Sequence, residues 1–238
     1  MKLLYTVKLQ GHIHLRGGKY MNIAEHIEHT LLKPEATVQD IIKLCQEAKE
    51  AKLFGVCINP CYVALAKHLL TGTKIKIITV IGFPLGATYP EVKALETKMA
   101  IENHADEIDM VMNISAFKTG NYDAVIADIK QVVDAAKPYP VKVIIETYLL
   151  TEAEKHKAAQ LVAQAGASFV KTSTGFSSGG ATTEDVKILR QEADKSGIGV
   201  KAAGGIRDKD MAEAMLAAGA DRIGTSAGPK IVGVVHAK

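Results

Sequence analysis

The sequence predicts a single-domain (β/α)8 TIM barrel of the α/β class, and three observations carry that expectation. Short β-branched apolar runs recur eight times, each followed by a stretch of helical period rich in Ala, Glu and Lys. That alternation marks parallel strands joined by crossover helices. The length of 238 residues is close to the roughly 250 that such barrels fill as one domain. Finally, no strand leads through G-x-G-x-x-G into a helix. Gly179-Gly180 and Gly204-Gly205 lack the third glycine, which argues against an open dinucleotide-binding sheet, and no Walker A sequence is present.

Taken in order, residues 1–20 read as an N-terminal extension, an upstream start or an appended leader rather than a folded element. Residues 21–238 are assigned to the barrel. The strand runs fall at 24–30, 55–59, 75–82, 107–113, 141–147, 168–173, 199–204 and 222–226. Helices are expected at about 37–51, 61–70, 90–104, 122–136, 152–165, 182–196 and 208–218. Thr37 stands where an N-cap belongs, Thr151 to Glu154 reads as a capping box, and Gly166 and Gly219 sit where a left-handed helix terminator belongs.

Composition removes several partners. The 29 Lys and Arg are balanced by 26 Asp and Glu, a net charge of +3 with both signs spread along the chain, which argues against nucleic acid. No apolar run is long enough to span a bilayer or to serve as a signal peptide, so no membrane partner and a cytoplasmic location are expected. Cys45, Cys57 and Cys61 are sparse and odd in number, and read as buried small hydrophobes. His12 and His14 would share a face only in a strand. Neither they nor the cysteines complete a metal-ligand pattern, so no metal and no cofactor is expected.

Charge inside the strands points to chemistry. A strand beneath amphipathic helices needs apolar residues on its outer face, so a charge within it must turn into the barrel. Asp109, Glu146, Lys171 and Lys201 interrupt apolar runs in this way, on strands four to seven. Neighbouring strands lie about 4.8 Å apart, so the Lys171 and Lys201 ammoniums are expected to approach closely. An ordinary lysine leaves roughly one amine in 2,500 neutral at pH 7. A like charge in a desolvated interior favours the neutral form, which attacks carbonyl carbon to make a Schiff base. Carboxylates beside it would move protons. The competing reading is a structural ion-pair network.

Glycine turns follow the last strands. Gly204-Gly205 after strand seven and Gly224-Thr225-Ser226 after strand eight offer backbone N–H groups where this fold commonly binds phosphate. Thr174-Gly175 and 177–180, after strand six, are positioned to close over the same ligand.

Several multi-residue motifs then occur in order: His29-Thr30-Leu31-Leu32-Lys33-Pro34, Val56-Cys57-Ile58-Asn59-Pro60, Ile81-Gly82-Phe83-Pro84-Leu85-Gly86, Glu107-Ile108-Asp109-Met110-Val111-Met112-Asn113, Phe169-Val170-Lys171-Thr172-Ser173-Thr174-Gly175-Phe176 and Val200-Lys201-Ala202-Ala203-Gly204-Gly205-Ile206-Arg207. From about Met21 to Ser226 the chain resembles the deoxyribose-phosphate aldolase family. The resemblance implies a metal-independent class I aldolase that reversibly cleaves 2-deoxy-D-ribose 5-phosphate to glyceraldehyde 3-phosphate and acetaldehyde, in the catabolism of deoxynucleoside-derived sugar. It implies a homodimer or homotetramer. Lys171 would form the Schiff base, Lys201 would perturb it, and Asp109 would exchange protons. Gly204, Gly205, Gly224, Thr225 and Ser226 would hold phosphate, and Thr30, Thr174 and Gly175 would line the sugar channel. The chain departs from the family at Glu28, where the usual residue is Asp, and at Phe176, where some members carry Lys and leave Arg207 as the nearest substitute cation. The alternatives are another phosphate-binding barrel, with transaldolase-like or sugar-isomerase activity, and a non-catalytic phosphosugar-binding barrel.

Overall fold

The computed structural model describes residues 12–14 and 20–234. Eight parallel strands close into a barrel: β1 (Ile27–Leu31), β2 (Gly55–Ile58), β3 (Lys76–Ile81), β4 (Glu107–Val111), β5 (Val141–Ile144), β6 (Phe169–Lys171), β7 (Gly199–Ala203) and β8 (Arg222–Thr225). β8 pairs back to β1, Ile223 opposite Ile27, which completes the ring. The predicted architecture is borne out.

The helices follow as α1 (Val38–Glu50), α2 (Val63–Leu69), α3 (Pro90–Glu102), α4 (Ile114–Lys118), α5 (Tyr122–Ala136), α6 (Glu152–Gln164), α7 (Thr183–Ser196), α8 (Lys209–Ala217) and α9 (Gly228–Ile231). Their starts were legible. Thr37 and Thr151 each accept from the backbone N–H three residues on, and Asp40 and Glu154 close the boxes. Gly166 (φ +84°) and Gly219 (φ +112°) hold the left-handed conformation that ends a helix. Two short helices, α4 and α9, were not anticipated, because five- and four-residue turns show no period.

Three other expectations need correction. The first run starts later than predicted: Ile23–His26 is a 3-10 turn capped by the Asn22 side chain, so the strand begins only at Ile27. Within the segment assigned to an extension, His12–His14 pairs antiparallel with Tyr20–Asn22, Ile13 opposite Met21. The rest of residues 1–20 lies outside the described residues. Cys45 and Cys57 are buried as expected, whereas Cys61 is exposed, in the turn Pro60–Tyr62 that opens α2. Among the described residues no helix is long and apolar enough to cross a membrane, and no cluster of three His, Cys, Asp or Glu side chains is arranged to hold a metal.

The main core lies between barrel and helices, with Ile41, Leu44, Phe117, Ile129, Val162, Val170, Leu189 and Ile223 among its members. A second, smaller apolar cluster of Leu32, Cys57, Ile78 and Val80 stands apart from it. Cys57, Ile78 and Val80 occupy inward positions of β2 and β3, and Leu32 joins them from just beyond the end of β1.

Candidate active site

Register decides which side chains meet inside. Residues paired across a parallel ladder point to the same face. Asp109 pairs with Lys142 and Val80, Lys171 with Lys201, Lys201 with Arg222, and Gly224 with Glu28. The interior is therefore divided. The β1–β3 side is mostly apolar, and the β4–β7 side carries Glu107, Asp109, Lys142, Lys171 and Lys201, joined by Glu28 from β1.

Asp109 is the hub of the charged half. Lys171 Nζ donates to its Oδ2 at 2.8 Å, Lys201 Nζ donates to the same oxygen at 2.6 Å, and Lys142 Nζ donates to Oδ1 at 3.0 Å. Lys201 also donates to Glu28 Oε2. Lys142 lies 2.5 Å from Glu107 Oε2 and 3.6 Å from Glu28 Oε1. All of these side chains are buried. The predicted neighbours Lys171 and Lys201 do meet, but with a carboxylate oxygen between their ammoniums.

Charges so placed set each other's protonation. Burial alone would raise Asp109, but Lys142, Lys171 and Lys201 together hold it well below the ordinary carboxylate range. Burial would lower Lys201, yet Asp109 and Glu28 hold it well above the usual lysine value. Lys142 is likewise held up against burial, by Asp109 and Glu28. Lys201 and Lys142 therefore stay cationic and Asp109 stays anionic at neutral pH. Lys171 has one carboxylate partner where Lys201 has two and Lys142 three. Its attack on a carbonyl breaks a single ion pair. Burial pushes the nearby Cys57 thiol up to about 11, leaving it neutral.

Glu146 does not belong to this array. β5 ends at Ile144, and Glu146 lies two residues beyond it, buried and in the left-handed conformation at φ +54°. Its Oε2 accepts from both the backbone N and the hydroxyl of Thr174, which in turn accepts from Phe176 N at 3.1 Å. It fixes the loop after β6, and the carboxylate that pairs with Lys171 is Asp109.

The predicted phosphate residues separate into three environments. Gly204 (φ +90°) and Gly205 (φ +80°) form the turn after β7, with Gly205 exposed. Ala181 N donates to Gly204 O at 3.0 Å, so the loop after β6 is docked on this turn. Gly224 is inside β8, and a Cβ there would stand 3.2 Å from Lys201 Cε. Its absence of a side chain makes room for that lysine. Thr225 is buried and its hydroxyl is engaged, donating to Ile206 O at 2.6 Å and accepting from Ala227 N at 2.9 Å. It ties the last two loops together, while Ser226 is exposed beside it. Of the channel residues, Thr30 donates to Glu28 O at 3.0 Å, Thr174 is buried, and Gly175 (φ +83°) is exposed. Arg207 is exposed after β7.

Sequence reasoning missed four residues. Lys142 and Glu107 obey the same interior-charge rule as Asp109 and were readable from it. Glu28 was noted only as a departure, yet its longer side chain reaches Lys201, Lys142 and, at 4.0 Å, Arg222. Ser173 Oγ is buried, 3.3 Å (by its Cβ) from where a Gly204 Cβ would be, and has no hydrogen-bond partner among the described residues. A free hydroxyl at that depth, beside the glycine turn, suits a polar ligand.

Comparison with known proteins agrees with this geometry. Residues 22–234 match the family model for DeoC/LacD family aldolases. A deoxyribose-phosphate aldolase of Geobacillus sp. (strain WCH70) is 60% identical over 212 residues, covering 89% of this chain and 95% of the relative. The deoxyribose-phosphate aldolase of Streptococcus gordonii is 58% identical over 212 residues, covering 89% and 96%. Among solved structures, an aldolase called QR15 superposes with a TM-score of 0.85 at 41% identity, covering 89% of this chain and 95% of that one. The deoxyribose phosphate aldolase of Aeropyrum pernix, described as a unique tetrameric structure, gives a TM-score of 0.84 at 36% identity, covering 89% of each. With its barrel, its motifs and nearly its whole described length accounted for, the chain belongs to the DeoC/LacD aldolase family.

Proposed function

We propose that the chain is a class I aldolase that reversibly cleaves 2-deoxy-D-ribose 5-phosphate to glyceraldehyde 3-phosphate and acetaldehyde, with Lys171 as the Schiff-base nucleophile. The observation that carries the assignment is the shared Asp109 Oδ2, which holds one lysine for attack beside another that remains a cation. Family membership supplies the reaction class.

The Lys171 amine adds to C1 of the open-chain sugar, and loss of water leaves a protonated imine. Asp109 and the Lys201 ammonium exchange the protons of this step through water. The imine cation is the electron sink. Asp109, acting with Lys201 through water, takes the C3 hydroxyl proton; C3 becomes a carbonyl and the C2–C3 bond breaks, its electron pair forming the enamine C1–C2 double bond. Glyceraldehyde 3-phosphate, C3 to C5, departs. Protonation at C2 and addition of water then release C1 and C2 as acetaldehyde and restore the lysine. The Lys201 ammonium, fixed on the same Asp109 oxygen as Lys171, supplies a preorganised positive charge beside the reacting nitrogen. We assign the phosphate to the turn at Gly204 and Gly205 with Ser226 and the Ser173 hydroxyl. Thr30, Thr174 and Gly175 line the sugar. Gly224 and Thr225 act beneath that site, by making room for Lys201 and joining the two loops. Phosphate held far from the breaking bond orients the sugar.

We also assign the enzyme to the cytosol, as a homodimer or homotetramer. Support for assembly comes from Val92, Leu95 and Met99, which stand exposed on one face of α3 beside exposed Leu85 and Tyr89.

Borohydride reduction in the presence of acetaldehyde tests the chemistry. The native chain gains one N-ethyl group in place of a hydrogen, mapped to Lys171, and Lys171→Leu gains none. An unmodified native chain would refute the assignment.

A further inference from the structure

Lys142 and Glu107 have no step in the proposed mechanism, yet they are as deeply placed as the residues that have one. Lys142 is fully buried within β5, and Glu107, the first residue of β4, is buried beside it. Inward positions of β2 and β3 are filled instead by Cys57, Ile78 and Val80. A buried ion pair seldom stabilises a fold more than apolar side chains of the same size would. Stability therefore gives little reason for this one.

The buried charges balance. Lys142 on β5, Lys171 on β6 and Lys201 on β7 face Glu28 on β1 and Glu107 and Asp109 on β4, three ammoniums against three carboxylates. The remaining strands add little. β2 brings the Cys57 thiol, which burial keeps neutral. β3 brings Ile78 and Val80, its Lys76 being exposed at the strand start and paired with Asp106. β8 brings Arg222, partly exposed, stacked 3.8 Å over the Phe54 ring and 4.0 Å from Glu28 Oε1.

Lys171 feels this balance through Asp109. Its ammonium pairs with Oδ2, while Lys142 occupies Oδ1 at 3.0 Å and Glu107 Oε2 lies 2.5 Å from Lys142. Glu107, Lys142, Asp109 and Lys171 thus form a row of alternating sign. Without Lys142, Asp109 would grip the Lys171 proton harder; without Glu107, the unopposed Lys142 charge would loosen it. On the Schiff-base reading, on which this inference rests, Lys171 must give up a proton before it attacks a carbonyl. We infer that Glu107 and Lys142 are positioning residues for the reaction, a buried pair that acts through the two oxygens of Asp109 to set the pH at which Lys171 becomes a free amine.

The test is the pH dependence of kcat/KM for cleavage of 2-deoxy-D-ribose 5-phosphate, whose acid limb reports the essential base of the free enzyme. Glu107→Gln keeps the shape of the side chain and removes its charge, and is expected to move that limb to lower pH by about one unit. Lys142→Met is expected to move it to higher pH by about the same amount. The double variant, which removes one charge of each sign, should bring the limb back toward its native position, and Glu107→Asp, which keeps the charge, should leave it in place. A merely structural pair would lower kcat/KM by one factor at every pH. An unmoved limb in a folded Glu107→Gln chain overturns the inference, as do shifts of the same sign in the two single variants. Should Lys142→Met fail to fold, the contrast between Glu107→Gln and Glu107→Asp decides alone. A native chain that forms no ethyl adduct on reduction with acetaldehyde overturns the Schiff-base reading instead, and this inference with it.

Discussion

Asp109 shows how one residue can carry a site. It is fully buried, yet three lysines keep it ionised, and each of its oxygens is occupied by an ammonium. Its folded value is depressed, so its contribution to stability is complete above the unfolded carboxylate value of about 3.9 and is lost as pH falls through the lower folded value. Urea unfolding of the native chain should therefore lose stability steeply below about pH 4, and Asp109→Asn, which has no proton to take up there, should show a shallower loss. Equal slopes would show that the lysines do not depend on this carboxylate. Asp109, Lys171 and Lys201 were legible because each breaks an apolar strand at an inward position. Lys142 sits in the same pattern between Val141 and Val143. Glu146, by contrast, was misread because sequence does not show where a strand ends, and β5 stops two residues short of it.

At the scale of elements, α3 reverses the usual arrangement of a surface helix. It buries Lys93 and Thr97 and exposes Val92, Leu95 and Met99. The helical period rich in Ala, Glu and Lys does predict a helix there, but not which face turns inward, because that is decided by the partner. Here the partner is α5. Lys93 Nζ donates to Asp128 Oδ2 at 2.6 Å and to Val111 O at 3.0 Å, joining α3, α5 and the end of β4. A Cβ on Gly82 would stand 2.8 Å from Lys93 Cε, so the lysine stem also packs under the loop that bears Phe83. Removing one partner of a buried pair leaves the other charge uncompensated and costs about 3–5 kcal/mol. Lys93→Met should lose about that much stability in urea at neutral pH. Burial raises Asp128 above the ordinary carboxylate range even beside Lys93. Without the lysine its protonation becomes the escape, so the loss should shrink as pH falls. Pairing the change with Asp128→Leu should recover most of it, and a single variant as stable as the native chain would show the pair to be idle.

Across the whole molecule, the barrel and its order were readable because each strand and helix announces itself within a window of a few residues. The division of the interior was not, since it depends on which strands become neighbours after closure: Glu28 meets Lys201 from 173 positions away. The same holds for the exterior. Leu85, Tyr89, Val92, Leu95 and Met99 are between 48% and 75% exposed, and three of them recur at helical spacing on α3. A lone exposed apolar residue is ordinary, but a strip of them on a helix that buries its polar side is what an interaction surface presents. A second copy is the simplest occupant, because a two-fold axis across α3 would set each strip against its twin. Light scattering should therefore give a mass that is a multiple of 25.5 kDa, and Leu95→Arg, which would bring two like charges together near that axis, should shift it toward the single chain. A native mass of one chain at micromolar concentration, or an assembly indifferent to Leu95→Arg and to Met99→Arg, would exclude this face.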